Sequence, residues 1–284
     1  MRYTPGDGGN IEDRRGSSGG RGFGGAAPVG VGGLLLLLVL SWATGTNFLQ
    51  LLDTGGGDQV TESSGPIEQT PQEQRLVGFV DAVSGDVQET WRQLLGNRYE
   101  SVKTVLFRDA TQTGCGQGAA ATGPFYCPAD RLVYLDLSFF DELSQRFGAP
   151  GDFAQAYVIA HEYGHHVQNL LGFNERVGND RAGANSGSVA LELQADCFAG
   201  VWGHAASQGG RFERGKVELD PGDLEEALRA AAAIGDDRLQ KMSTGRIQPE
   251  RFTHGTSAQR VEWFRRGFQT GDPQRCDTFA ALTQ

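Results

Sequence analysis

Apolar positions along the chain fall into a few blocks separated by polar, glycine-rich stretches. The first 27 residues are dominated by Gly and polar groups, show no apolar periodicity and are expected to be disordered. From Val29 the pattern changes abruptly to Val-Gly-Val-Gly-Gly-Leu-Leu-Leu-Leu-Leu-Val-Leu-Ser-Trp-Ala43, continues through Phe48, Leu49, Leu51 and Leu52, and carries no charge between Arg21 and Asp53. A spanning helix needs about 20 mostly apolar residues, so residues 28–52 are expected to form a single transmembrane helix. The late start of this run and its lack of an Ala-x-Ala site favour a retained anchor over a cleaved signal peptide. Residues 53–70 are small and polar and read as a flexible linker.

Beyond residue 70 the periods become those of a globular domain. Leu76, Phe79, Val80, Val83, Val87, Trp91 and Leu94 recur at helical spacing and predict a helix over residues 72–95. Val102 to Phe107 reads as a strand, and Phe125-Tyr126-Cys127 with Leu132 to Leu137 reads as a hairpin around Pro128-Ala129-Asp130. Phe153, Tyr157, Val158, Ala160, Val167, Leu170 and Leu171 give a broad apolar surface on the next helix. Asp152 is its expected N-cap, with Gln155 three residues on, and Gly172 its expected stop. Residues 178–187 read as a polar connector to a second helix around Ser188 to Asp196. Asp223 to Ile234 is an alanine-rich helix, and Thr256-Ser257-Ala258-Gln259 is a capping box opening a last one through Phe264 and Phe268. Strands interleaved with helices in this way predict an α+β domain over residues 71–284.

Charge adds topology and removes one class of partner. Arg2, Arg14, Arg15 and Arg21 precede the apolar run and the first basic residue after it is Arg75, so the positive-inside rule places residues 1–27 in the cytoplasm and the domain outside. The formal net charge of −10, with no basic stripe interleaved with aromatics, excludes nucleic acid as a partner. Cys115, Cys127, Cys197 and Cys276 include no Cys-x-x-Cys pair, which argues against a thiolate metal site. Outside the cytoplasm disulfides are expected, and of the three possible connectivities Cys115 with Cys127 and Cys197 with Cys276 is the one anticipated.

Candidate chemistry is concentrated in His161-Glu162-Tyr163-Gly164-His165-His166. Two histidines four residues apart stand one above the other on a helix, so both imidazoles can reach one metal ion. Glu162 is rotated by about 100° from them and suits a base leaning over an open coordination position. Gly164 costs about 1 kcal/mol against Ala inside a helix, which implies that something passes close to the backbone there. A third ligand is offered by Glu192 on the second helix, with Asp196 four residues on and able to hold the ring of a ligand histidine. His166 and His204 lack the spacing for this metal and are expected to be structural. His254, two residues before the last capped helix, sits on a rigid perch.

Together these helices resemble the glutamate-zincins. More narrowly, the Asn-Ile-Glu-Asp-Arg-Arg stretch at residues 10–15, the His-Glu-Tyr-Gly-His-His helix and Thr-His-Gly-Thr-Ser-Ala-Gln-Arg at residues 253–260 are similar to the membrane-anchored bacterial neutral zinc metallopeptidases. That resemblance implies one zinc ion per chain on His161, His165 and Glu192, with Glu162 as catalytic base. It implies His254 as a stabiliser of the oxyanion, and an extended polypeptide substrate docked on an edge strand at Leu132 to Leu137. The expected protein is thus a single-pass endopeptidase of the cell membrane, bound to the bilayer through residues 28–52 and cutting peptide bonds outside the cytoplasm. A zinc-bearing scaffold that binds polypeptide without cutting it uses the same residues and stands as the alternative. A structural membrane protein would need no metal.

Overall fold

The computed structural model describes residues 1–16, 67, 69–119, 123–214 and 216–282. The expected anchor at 28–52, and almost all of the expected linker at 53–70, lie outside the described residues. Among the described residues no helix is long and apolar enough to cross a membrane.

The domain is a small sheet with helices packed on one face. In chain order it contains β1 (Ile11–Asp13), α1 (Pro71–Leu95), β2 (Thr104–Phe107), the hairpin β3 (Ala110–Thr113) and β4 (Gly116–Ala119), β5 (Phe125–Cys127) and β6 (Leu132–Asp136). Then come α2 (Ser138–Gln145), α3 (Asp152–Leu170), α4 (Gly187–Ala206), α5 (Asp223–Ala233), α6 (Asp236–Thr244), α7 (Ser257–Thr270) and α8 (Thr278–Leu282). The sheet order is β1-β2-β6-β5, with β1, β2 and β6 parallel and β5 antiparallel to β6. Alternation along the strands sends Leu106, Val133 and Leu135 into the main core beneath the helices. Val105, Phe107, Cys127 and Tyr134 form a second apolar layer on the opposite face.

This arrangement corrects the reading of the N-terminal residues. Residues 1–16 are packed against the domain: Ile11, Glu12 and Asp13 pair with Thr104, Val105 and Leu106 as the outermost parallel strand. Asp81, buried on α1, accepts the backbone N–H groups of Gly8 at 2.7 Å and Asn10 at 2.8 Å. Arg2 is ion-paired with Glu218 and Asp220. Polar composition had suggested disorder, but Asn10, Arg15 and Arg2 are polar because each meets a fixed partner. A strand hydrogen-bonded into a sheet lies on that sheet's side of any membrane, so a bilayer between residues 1–16 and the domain does not fit these contacts.

The second correction concerns the sheet edge. β6, expected to be exposed along Leu132 to Leu137, runs between β2 and β5 with both of its hydrogen-bonding sides occupied. The edge beside the helices is β5. The β3–β4 hairpin is linked to it through Cys115–Cys127, with a Cα–Cα distance of 5.8 Å, and Cys197–Cys276 joins α4 to the segment before α8, so both anticipated pairings are present.

The helices are placed by close crossings. α3 begins after Gly151, whose φ of 125° suits glycine, so Asp152 is its first residue and not its cap. The amide of Phe153 instead donates to Glu226 Oε2 on α5 at 3.1 Å. Gly164 on α3 is the expected point of close approach: a Cβ there would lie 3.0 Å from the Ala195 carbonyl oxygen on α4. Gly200 on α4 and Gly267 on α7 let those helices touch backbone to backbone, with Phe264 and Cys197 as the facing residues. The capping box Thr256–Gln259 opens α7 as read from the sequence.

Candidate metal centre

Residues from two helices converge on one point. His161 and His165 lie one turn apart on α3, their ring centroids separated by 4.7 Å, and Glu192 faces both from α4. His161 Nε2 is 3.2 Å from Glu192 Oε2 and His165 Nε2 is 3.6 Å from Glu192 Oε1. One donor atom from each of the three residues lies within 4.8 Å of the others, a spacing compatible with a shared cation.

The surroundings favour such a cation. Burial alone would make His161 harder to protonate, yet the Asp196 carboxylate, together with the hydrogen bond to Glu192, holds it up from an ordinary 6.5 to about 10. Burial would raise Glu192, but the neighbouring His165, His254 and His161 hold it well below the usual carboxylate range. The pocket is therefore built to keep a carboxylate ionised beside added positive charge. Two imidazole nitrogens and a carboxylate oxygen are also the donor types that zinc takes in hydrolytic sites.

Asp196 stands behind His161. It is fully buried and accepts four bonds: from His161 Nδ1 at 2.9 Å, from the Tyr157 hydroxyl, and from Arg260 Nε and Nη2, both at 2.9 Å. With its oxygens so committed, Asp196 fixes the ring and leaves Nε2 turned toward Glu192. The sequence gives neither Tyr157, read there as part of an apolar face, nor Arg260, at the end of the 253–260 stretch, a role in the site. The available signal was Arg260 sharing the apolar face of α7 with Phe264 and Gly267, where a charge demands a buried partner.

Glu162 lies next to the cluster without joining it. It is only 7% exposed, and burial raises its pKa, opposed by His161 and His165. The backbone N–H of Tyr126 on β5 also favours its ionised form, so the sheet edge runs beside this carboxylate. His166 sets that proximity. Its Nε2 donates to the Glu100 carbonyl at 2.7 Å, so Nδ1 accepts from the Tyr126 hydroxyl at 3.1 Å, which in turn accepts from Asn169 Nδ2 at 3.0 Å. The structural role expected of His166 is thus to clamp β5 to α3. His204, also expected to be structural, has its Nδ1 2.8 Å from the Phe268 carbonyl oxygen, away from the cluster.

His254 reaches the rim. Its side chain is 42% exposed, with Nδ1 at 3.3 Å from Asp236 Oδ1. Asp236 Oδ2 accepts the backbone N–H groups of Thr253, His254 and Gly255 and so shapes the turn into α7. Crowding works against charge on His254, but Glu192 and Asp236 raise its pKa.

A small sheet whose edge runs beside a helix carrying His-Glu-x-x-His, with a glutamate from a following helix completing the cluster, is the arrangement of a zincin-like domain. The family described as "Putative neutral zinc metallopeptidase" matches residues 1–279, and the chain belongs to that family. It is 49% identical over 281 residues to the uncharacterised protein YpfJ of Escherichia coli, covering 95% of each chain. It is 48% identical over 206 residues to an uncharacterised protein of Mycobacterium tuberculosis, covering 71% of this chain and 70% of the other. No solved structure matches.

Proposed function

We propose that the protein is a zinc-dependent endopeptidase that acts outside the cytoplasm and is held at the cell membrane through residues 28–52. The observation that carries the reading is the meeting of His161, His165 and Glu192 within 4.8 Å while Glu162 stands beside them uncommitted to the cluster. The two disulfides support an oxidising compartment. Because β1 pairs with β2, the contact with the membrane through residues 28–52 is proposed to leave residues 1–16 and the domain on the same side.

His161, His165 and Glu192 would hold the ion. Zinc, when bound, lowers the pKa of a water toward about 7 and polarises a scissile carbonyl. Glu162 takes the proton from the attacking water and delivers it to the departing amine nitrogen. Its burial helps, because a raised carboxylate pKa approaches the working pH of a base. His254, its Nδ1 donating to Asp236, can donate from Nε2 to the carbonyl oxygen as negative charge builds there when the ring is the imidazolium, the form that Glu192 and Asp236 favour. The substrate backbone is proposed to extend along β5, Phe125–Cys127, instead of along Leu132 to Leu137.

The test is proteolysis of an unfolded protein by the full chain and by its Glu162→Gln variant at equal zinc content. General-base catalysis contributes about 10²- to 10⁴-fold, so cleavage should fall at least roughly a hundredfold while zinc and fold are retained. Cleavage that survives the substitution would assign the activity elsewhere. Binding of the polypeptide by both proteins with cleavage by neither would favour the scaffold.

A further inference from the structure

The two histidines are held by different means. Asp196 takes His161 Nδ1 directly, whereas His165 Nδ1 lies 2.9 Å from Oε1 of Gln168, one turn further along α3. The orientation of that amide is fixed by its other contacts. Gln168 Nε2 lies 2.6 Å from the Leu191 carbonyl oxygen and 3.2 Å from Gln194 Oε1. A backbone carbonyl only accepts, so the amide nitrogen must face Leu191, the amide oxygen must face the ring, and His165 Nδ1 must carry the hydrogen. The same logic fixes Gln194, whose Nε2 donates to the Cys276 carbonyl at 2.9 Å, leaving Oε1 toward Gln168. Cys276 is in turn tied to Cys197 on α4.

Both amides are buried, Gln168 fully and Gln194 to 1% exposure. A buried polar group without a partner is costly, so two glutamines in an apolar core require partners for their amide atoms. Here each amide nitrogen and oxygen has a partner, and the chain of bonds ends on a ring of the metal cluster.

We propose that Gln168 is a positioning residue of the metal centre. It holds His165 with hydrogen on Nδ1 and a lone pair on Nε2, facing Glu192, and Gln194 and the Cys276 carbonyl keep it in that orientation. This inference rests on the reading of the cluster as a zinc site. Its consequence is that α4 governs the whole donor set. It supplies Glu192, orients His161 through Asp196, and orients His165 through the Leu191 carbonyl acting on Gln168.

The experiment follows zinc release to a chromophoric chelator from the full chain in mild detergent, with the melting temperature of the metal-free protein measured alongside. Partners that orient a ligand histidine are worth about 10- to 100-fold in metal affinity, so Gln168→Leu should weaken zinc by that factor. Gln168→Glu keeps an acceptor for His165 Nδ1 but loses the donor to Leu191. It should hold zinc at least as tightly as the wild type while melting lower. A role confined to packing would lower both melting temperatures and leave zinc affinity unchanged in both. If Gln168→Leu does not fold, Gln194→Leu, which removes one of the two bonds orienting Gln168, should still weaken zinc measurably. Unchanged zinc retention in the leucine variants, or equal loss in Gln168→Leu and Gln168→Glu, overturns the proposal alone. A wild-type protein that takes up no zinc overturns the metal-site reading as well.

Discussion

Replacing Arg260 by Met tests the buried charge network behind the metal cluster. Arg260 has a side chain only 3% exposed and makes two bonds to Asp196 at 2.9 Å, a third to the Ile234 carbonyl at 3.2 Å and a fourth to the Tyr157 hydroxyl at 3.3 Å. Met fills much of the same space without charge. Asp196, fully buried, would then keep only His161 and Tyr157 as partners, and removing one partner from a buried ion network costs about 3–5 kcal/mol. Against a total stability of roughly 5–15 kcal/mol this is a large fraction. For a domain of this size, at about 2–4 °C per kcal/mol, the melting temperature should fall by about 6–20 °C. The acid side provides a sign check. Despite burial, Arg260 and His161 hold Asp196 below its ordinary 3.8, so the associated stability is present above that pH and lost as pH falls through the folded value. Without Arg260 the folded value rises and the variant should unfold at a higher pH on acidification. Urea unfolding of metal-free wild type, Arg260→Met, Asp196→Asn and the double variant isolates the pair. The double variant should be more stable than additivity predicts by about 2 kcal/mol or more. A loss below about 1 kcal/mol in Arg260→Met, typical of an exposed pair, would refute the assignment of the network as buried and consequential.

Zinc uptake should release a proton, because His161 is held at about 10 in the metal-free protein and must be neutral to bind. Apparent affinity should therefore rise about tenfold per pH unit below 10, and calorimetry in buffers of different ionisation enthalpy should count about one proton. A pH-independent affinity would contradict the site. The metal-free protein should also lose stability as pH rises from 6.5 through about 10, since a group with a raised folded pKa stabilises below its unfolded value and ceases to do so above its folded one. Topology is tested by single cysteines at the exposed positions Asp7 and Gln274, labelled in intact cells by a membrane-impermeant reagent. Both should react from outside, whereas labelling from opposite sides would mean that β1 is not paired with β2 in the membrane-held protein.

Short-range pattern determined much of this domain. Helical spacing on one chain segment is enough to place His161 and His165 together, and the same periodicity set Glu192 and Asp196 on one face of α4. Local chemistry also announced the α7 capping box and the close approach at Gly164. What periodicity within a segment cannot carry is pairing between segments. The N-terminal strand has no apolar alternation to reveal it, because β1 is a short edge strand held by polar side chains to α1. The zincin resemblance implied an edge at β6, and the segment's own pattern could not correct it, because β2 and β5 cover β6 through backbone groups common to every sequence. Gln168 and Gln194 carry no signal in sequence and become meaningful only where tertiary packing buries them, since burial removes water and leaves each polar atom dependent on one specific partner. The ligand types were therefore written in the chain, and their orientation was decided by the fold.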